Sequence, residues 1–436
     1  MKALRWLHPG LKIKRWLFLI AVGVFLASVG AAVLLGVRAA PLLADLNEWA
    51  YLVTGRLVSQ TVYALAFAVL GLAAIAFGLR QMVRSITAAI SPRDHGRLAE
   101  ALYRTRGPTP EHRFVVIGGG TGLSTLLRGL KKLPADITAL VTVADDGGSS
   151  GRLRREMGMP PPGDIRSCLV ALADAEPLMQ QLFQYRFRGE DKNGLNGHSF
   201  GNLLIAALTD IMGDFERAVK ESSKVLAIHG RVLPSTLENV VLRAELEDGQ
   251  IIEGESRISQ TIVPIRRISL HPENPEPLAE ALEAIADATA IVIGPGSVFT
   301  SIIPNLLIRG LVAAIAASPA TKIYVCNVMT QPSETTGFSA SDHVEAILRH
   351  TGVNFIDSVL LNATAPARSV LAAYRREGAA MVEPDLAAVA ALGVCPVSAD
   401  LLSHTDLARH DPDKLAQAVW RLVNPAGVHA RAHVKA

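Results

Sequence analysis

The stretch from Phe114 to Gly163 constrains the fold of this 436-residue chain most strongly. A short apolar run from Arg113 to Ile117 ends in the glycine cluster of residues 118–122, and a second run, Ile137 to Val143, ends in paired aspartates and more glycines. Buried parallel strands whose carboxyl ends open into glycine-rich loops build the crevice for a phosphorylated ligand in open α/β sheets. The stretch therefore predicts an α/β domain with a phosphate crevice.

The first glycine loop matches neither of two common nucleotide motifs. A Walker loop requires Gly-Lys-Ser/Thr, which is missing here, and the dinucleotide fingerprint requires small residues where Leu123 or Thr125 stands. The loop consequently favours phosphate over NAD. The alternative is that its glycines only permit a sharp turn from strand to helix.

The second loop begins with Asp145 and Asp146, directly after a buried strand. Adjacent carboxylates in a crevice can hold Mg²⁺ through substrate oxygens, and the following Gly148 and Ser149 let backbone N–H groups approach a phosphate. A solvated Asp-Gly turn is the alternative. In an open sheet, the position after the strand favours a site.

Two later motifs contribute further polar candidates. Asp164 can cap a helix from Ile165 onward, and Arg166 can face either solvent or a phosphate. The segment GHSFGN, residues 197–202, has the formal G-x-S-x-G pattern, but the polar stretch before it is not a strand, which disfavours a hydrolase. The helix that follows suits a ligand at its N-terminus, with His198 and Asn202 as contacts; for His198, capping or packing is the alternative.

The second half of the domain repeats the layout of the first. Residues 238–259 alternate around Asp248-Gly249 and predict a β-hairpin excursion. A buried strand from Ala288 to Ile293 ends in the turn 294–297, which contains the candidates Gly296 and Ser297. The strand Thr321 to Asn327 ends in a loop where Asn327 is either a binding residue or part of a plain connector.

The N-terminal quarter predicts a membrane anchor. Residues 16–37 and 58–79 are apolar and free of charge, each long enough to cross a bilayer. Basic residues flank the pair on both outer sides, so the positive-inside rule places both ends in the cytoplasm. We expect an anchor over residues 1–85, a linker over 86–111, a cytoplasmic domain over 112–425 and a loose tail over 426–436.

Charge and cysteine content exclude several classes of protein. The formal net charge of +3 is small and lies largely near the N-terminus, so no nucleic-acid partner is expected. The three cysteines are far apart and in no CxxC spacing, which argues against a disulfide frame or a zinc site. No catalytic residue can be assigned.

The motifs GGGTGLS, ADDGGSSGRLR, PPGDIRSCL, GHSFGNL, IGPGSVFTSIIPNLL and CNVMTQPSET occur in this order. Together they resemble the bacterial gluconeogenesis factor family, within the 2-phospho-L-lactate transferase superfamily, over about residues 112–422. The resemblance implies a Rossmann-like three-layer domain, with a mostly parallel sheet, that binds UDP-sugars such as UDP-N-acetylglucosamine. Its members look like regulators of carbon metabolism and cell-envelope growth and shape, while the transferase branch uses a nucleotide diphosphate donor with Mg²⁺.

The resemblance also implies roles for individual residues. Gly119, Gly120, Thr121, Gly122 and Ser124 would face the phosphates, Asp145 and Asp146 would lie at the crevice, and Asn202, Gly296 and Ser297 would complete the pocket. Relatives are expected to carry tyrosine at the position of Phe299. Both the homo-oligomeric state and partners in cell-envelope synthesis stay open, and the anchor predicts a membrane rather than a purely cytosolic location.

Overall fold

The computed structural model describes residues 13–34, 59–90, 112–174, 177–188, 194–403 and 407–424. Its contacts divide the chain into two compact units, residues 1–109 and residues 110–436, each of which is described by itself. The expected linker segment 91–111 and the expected tail 426–436 lie outside the described residues.

The first unit contains two long apolar helices, α1 (Ile13–Leu34) and α2 (Gln60–Ile90). Within the described part of the chain, both are long and apolar enough to cross a membrane. Glycines lie where the two helices touch: a Cβ on Gly71 would lie 2.5 Å from the backbone N of Ala27, and one on Gly30 would lie 2.6 Å from the carbonyl O of Ala64. Small residues of this kind allow close packing of helices in lipid. Helix α2 continues through residues 86–90, where the linker was expected to begin.

The second unit is built on a mostly parallel sheet, as the sequence predicts. Within the described residues, seven parallel strands pair in the order β10-β9-β8-β7-β1-β2-β3. These strands are β1 His112–Gly118, β2 Ala135–Val141, β3 Arg231–Pro234, β7 Ala290–Ile293, β8 Thr321–Val325, β9 Ser358–Asn362 and β10 Cys395–Ala399. Apolar side chains on nearly every position of β1 and β7 explain why both faces of the sheet are covered.

A smaller antiparallel sheet contains the predicted hairpin. Strands β4 (Val241–Leu246) and β5 (Ile251–Glu253) pair around the Asp248-Gly249 turn, which confirms the excursion. A third strand, β6 (Ile265–His271), pairs with the other side of β4 and was not predicted. The sheet buries alternate residues of β4 against one face of the parallel sheet.

Helices cover both faces of the parallel sheet and complete the three layers. In chain order they are α3 Gly120–Leu130, α4 Gly148–Met157, α5 Gly163–Leu172, α6 Pro177–Gln184, α7 Phe200–Met212, α8 Phe215–Val225, α9 Glu255–Ile258, α10 Ala279–Ala286, α11 Ile303–Leu306, α12 Leu311–Ala317, α13 Ala340–Thr351, α14 Arg368–Arg376, α15 Leu386–Ala391 and α16 Pro412–Val423. A single π-helical turn, Val298–Ile302, precedes α11.

The strand order reverses at β1. This strand pairs with β2 on one side and with β7 on the other, although β7 lies far later in the chain. Such a reversal opens a crevice at the carboxyl ends of the two central strands, because the loops leave in opposite directions. The fold therefore places the glycine-rich loops after β1 and β7 next to each other.

Candidate functional site

The glycine loop after β1 forms the first wall of the site. Gly119 precedes α3, and Gly120 begins the helix with a φ of +62°, a conformation that favours glycine. A Cβ on Gly119 would lie 2.6 Å from Asp164 Oδ2, so the loop approaches that carboxyl too closely for any side chain. The N–H groups of the first turn of α3 have no partner within the helix, and residues of this turn line the space beyond the strand ends.

The loop after β7 forms the opposite wall. A Cβ on Gly122 would lie 2.4 Å from the carbonyl O of Pro295, so the two loops are in direct contact. Ser297 Oγ accepts a hydrogen bond of 3.1 Å from Thr300 N and donates one to the Glu334 carboxylate. Asn327, after β8, accepts from Gly296 N at 3.2 Å and donates to Gly296 O at 2.9 Å. The predicted residues of these three loops are thus held together.

A cavity of about 490 Å³ opens between these loops, and we call it the sheet-edge cavity. Of the predicted site residues, seven line it: Gly119, Gly120, Thr121, Gly122, Gly296, Ser297 and Asn327. Its volume lies within the range of small-molecule sites, about 300–1,000 Å³. The cavity lies where the sheet topology places ligands in open α/β folds.

The far wall of the sheet-edge cavity comes from segments outside the predicted site motifs. It includes Tyr374 on α14, Glu377, Arg409 and His410. Antiparallel bridges between Met329 and Met381 and between Leu402 and His410 hold these segments together. No short motif marks them, because residues contributed by separate loops meet only in the folded chain.

His410 offers a polar contact in this wall. Its residue is 8% exposed, and burial lowers the pKa of its imidazole to about 4, so the ring is neutral near pH 7. The ring bonds to the backbone carbonyl of Cys326, while Nε2 is buried without a hydrogen-bond partner among the described residues. A buried ring nitrogen at the wall of a cavity is a ready contact for a ligand.

Five carboxyl groups lie close enough together to influence one another beside the glycine loops: Asp145, Asp146, Asp164, Glu255 and Glu334. Burial raises the pKa of Asp164 to about 7, and the charge of Asp145 adds to the rise. Burial likewise raises the pKa of Glu255 to about 9, with further contributions from the neighbouring carboxylates. The region therefore carries fewer negative charges at neutral pH than its composition suggests.

The paired aspartates anchor loops. Asp145 Oδ1 accepts from Gly147 N at 2.8 Å, and Asp146 Oδ1 accepts from Ser256 N at 2.9 Å, beyond the hairpin. Neither lines the sheet-edge cavity. Asp164 is not the N-cap of α5, which is Pro162; instead its carboxylate accepts a hydrogen bond from the backbone of Gly120.

Ser149, His198 and Asn202 meet in a buried network outside the sheet-edge cavity. Ser149 Oγ bonds to His198 Nδ1 at 3.0 Å and accepts from Asn202 Nδ2 at 3.1 Å. The network joins α4 to the start of α7, so these three side chains are engaged with one another. Gly148 and Ser124 also lie outside the cavity lining, and Ser124 Oγ donates to Gly120 O at 3.0 Å.

Two residues noted in the sequence have packing roles. Ser199 is fully buried and caps α7, where its Oγ accepts from Asn202 N at 3.1 Å, and the described residues 194–198 before it form no strand. Phe299 is fully buried against the rings of Phe338 and His350, and it does not line the sheet-edge cavity.

The carboxyl groups of the site allow only shared binding of a magnesium ion. Among the described residues no group of three or more His, Cys, Asp or Glu side chains is arranged to hold a metal. Mg²⁺ is commonly held by only one or two carboxylates together with substrate phosphates. Asp145 and Asp146 each commit one carboxylate oxygen to a backbone N–H, which leaves the second oxygen for such shared binding.

The chain is similar to a known protein family and to individual bacterial proteins. The family model described as "2-phospho-L-lactate transferase CofD" matches residues 114–402. The chain is 50% identical over 312 residues to the gluconeogenesis factor of Bacillus subtilis, covering 71% of this chain and 98% of that protein. It is 52% identical to the gluconeogenesis factor of Halalkalibacterium halodurans, over 70% and 94% of the two chains.

One relative matches almost the whole chain, whereas a solved structure matches about 70% of it. A protein of Nostoc sp. is 48% identical over 420 residues, 96% of this chain and 92% of its own, so that match extends into the N-terminal unit. A crystal structure of a Bacillus halodurans protein superposes with a TM-score of 0.68 at 51% identity, covering 70% of this chain and 98% of that one. The second unit, which we call the sheet domain, thus corresponds to nearly the whole of some relatives.

Replacement of Asp164 by asparagine tests the electrostatics of the site. An acid whose pKa is raised on folding favours the fold when protonated, so wild-type stability is lost as pH rises between about 4 and 7 and is constant above. Between pH 5 and pH 8, the free energy of unfolding of Asp164→Asn is expected to rise by on the order of 2–3 kcal/mol relative to that of wild type. Chemical denaturation of residues 108–436 measures this, with the exposed Asp210→Asn as control. Parallel pH profiles for the two variants would contradict the assignment.

Proposed function

Because the chain belongs to the CofD family, within its gluconeogenesis factor group, we propose that its sheet domain binds a UDP-sugar as a regulatory ligand. The observation that carries the proposal is the convergence of three strand-end loops, after β1, β7 and β8, on one sheet-edge cavity. Backbone N–H groups at the start of α3 suit a diphosphate, because a helix N-terminus attracts anions. We expect UDP-N-acetylglucosamine to be this ligand.

The far wall supports a ligand larger than a phosphate. Tyr374 offers an aromatic surface of the kind on which a nucleobase stacks, and His410 offers a neutral ring nitrogen. Among the described residues that line the cavity, Arg409 alone carries a guanidinium or ammonium group. Its charge is the natural counterpart of a diphosphate bridge between base and sugar.

The ligand would act as a signal in this proposal. Most polar side chains around the glycine loops are engaged in holding those loops, as Ser297, Asn327 and Asp164 illustrate. A site built in this way orders its loops around a ligand without presenting an activated nucleophile. We therefore propose a regulator that links carbon metabolism to cell-envelope growth and cell shape.

Removal of the Arg409 charge tests ligand binding. Arg409→Gln is expected to weaken UDP-N-acetylglucosamine binding at least tenfold, since a charge-assisted hydrogen bond contributes about 1.5–3 kcal/mol. Arg409 is exposed, so the substitution leaves the core unchanged. Calorimetric titration of residues 108–436 measures the effect. Arg368→Gln, at an exposed arginine outside the cavity, is the matched control. No binding to the wild-type domain at millimolar ligand would sink the proposal.

We further propose that the N-terminal helices anchor the domain at the cytoplasmic membrane, with both termini inside. Their lipid-length apolar segments and the basic residues outside them motivate this placement. The full chain is expected in the membrane fraction after alkaline washing, and residues 108–436 in the soluble fraction. Immunodetection after fractionation checks both, and a full chain released by the wash would contradict an integral anchor.

A transferase that uses a nucleotide-diphosphate donor with Mg²⁺ is the second candidate. The observation that favours it is the group of five mutually interacting carboxyls, because a divalent cation would relieve their repulsion. Asp145 and Asp146 would hold the ion jointly with donor oxygens, and the ion would neutralise charge on the transferred group.

The second candidate is tested by turnover of nucleotide-diphosphate donors with and without Mg²⁺. Asp146→Asn is expected to reduce any turnover at least a hundredfold, since it removes a carboxylate charge next to the metal. Asp210→Asn, at an exposed position on α7, controls for the loss of one negative charge. Absence of turnover in wild type, or equal turnover in the two variants, removes the transferase and leaves the regulator.

A further inference from the structure

A second cavity lies beside the glycine loop and is separate from the sheet-edge cavity. It has a volume of about 210 Å³ and is lined by residues of α3, α5 and the end of α6: Thr121, Ser124, Arg128, Arg166, Ser167 and Gln184. We call it the arginine cavity. It has room for a group much larger than a water molecule, whose share of liquid volume is about 30 Å³. The two cavities share Thr121, in the first turn of α3.

The charge of the arginine cavity has one sign. Arg128 and Arg166 both line it, and no carboxyl is among its described lining residues. Arg186 lies near enough that its charge, after burial, lowers the pKa of the Arg166 guanidinium. Asp164 and Asp145 act in the opposite direction from the side of the glycine loop. Like charges gathered around an open space are stabilised when an anion enters it.

The hydrogen bonds of Arg166 are incomplete. One terminal nitrogen donates to Ser199 Oγ, and the other donates to Ser167 Oγ at 3.4 Å. Nε is buried and has no hydrogen-bond partner within the described part of the chain. A buried donor on a charged group is costly to leave unpaired, so this N–H calls for an acceptor. Arg166 and Arg128 line the same open space, which is where such an acceptor could enter.

Further donors surround the two arginines. The Thr121 hydroxyl and the Gln184 amide are exposed and form no side-chain hydrogen bond among the described residues. Ser124 and Ser167 donate their hydroxyl hydrogens to Gly120 O and Gly163 O, which fixes them on their helices. Two guanidinium groups with a hydroxyl and an amide form the donor set that a phosphoryl group requires.

We infer that the arginine cavity binds a phosphoryl group between α3 and α5. The group comes either from the nucleotide ligand of the neighbouring cavity, reaching past Thr121, or from a separate phosphorylated small molecule. Binding there ties the first turn of α3 to α5 and so steadies the glycine loop. The inference does not depend on the nucleotide-sugar proposal, because its evidence comes from residues outside the sheet-edge cavity, apart from Thr121.

The test titrates inorganic phosphate into the full-length protein in detergent, at constant ionic strength with chloride as the balancing anion. Arg128→Gln is the main variant, since Arg128 is exposed and its loss leaves the fold unchanged. Arg166→Lys keeps a positive charge but loses the unpaired Nε–H. Arg217→Gln, at an exposed arginine of α8 outside both cavities, is the matched control.

Phosphate binding is expected to weaken at least tenfold in Arg128→Gln and at least threefold in Arg166→Lys, and to stay at the wild-type value in Arg217→Gln. Equal phosphate affinity in Arg128→Gln and Arg217→Gln, or no binding to wild type, overturns the inference. Neither result bears on the nucleotide-sugar proposal, because no nucleotide is present.

A second titration, with UDP-N-acetylglucosamine, identifies the source of the phosphoryl group. If Arg128→Gln weakens nucleotide-sugar binding and the bound nucleotide sugar excludes inorganic phosphate, the group belongs to that ligand. If both bind at once, a separate phosphorylated molecule occupies the arginine cavity. Both results support a phosphoryl site, and they differ only in which molecule supplies it.

Discussion

The contact between the loops after β1 and β7 organises the sheet domain. Gly122 packs against the Pro295 carbonyl so closely that a side chain would have no room, and Gly294 N donates to Ile117 O at 2.8 Å. Asn327 then fixes the loop after β7 through both the oxygen and the nitrogen of its side-chain amide. Three strand ends are thereby held around one opening, and the start of α3 is directed into it. The proposed ligand site depends on this contact, because glycine is the residue type that permits such an approach.

Electrostatics divides the surroundings of the glycine loop into two sides. On one side, burial raises the pKa of Asp164 and Glu255, and the charges of neighbouring carboxylates add to the rise. Arg128 and Arg166 gather positive charge on the other side, next to the same first turn of α3. Asp164 interacts electrostatically with both Asp145 and Arg166, and it bonds to the loop backbone at Gly120. The arginine side therefore favours a phosphoryl group, and the carboxyl side favours a metal ion.

The sequence predicts those parts of the site that depend on local patterns, and it does not predict contacts between residues that are far apart in the chain. The glycine-rich ends of β1 and β7 could be found because each is a local pattern of apolar run and turn. Ser149, His198 and Asn202 could be recognised as polar and near helix starts, but not as partners of one another. Their mutual hydrogen bonds join residues about fifty positions apart, and no local pattern encodes such a pairing. The same holds for Tyr374, Arg409 and His410, which line the cavity from a late part of the chain.

Local sequence patterns are sufficient to predict the α/β class, the two apolar helices, the hairpin around Asp248-Gly249 and the family. These follow from periodicity, length and turn chemistry, which act within short stretches. Tertiary packing sets which strand ends are neighbours, because the strand order reverses at β1. It also turned Asp164 toward Gly120 and Arg166 toward an open cavity. Those orientations depend on how α3 and α5 pack, and packing between distant segments is set by the whole core.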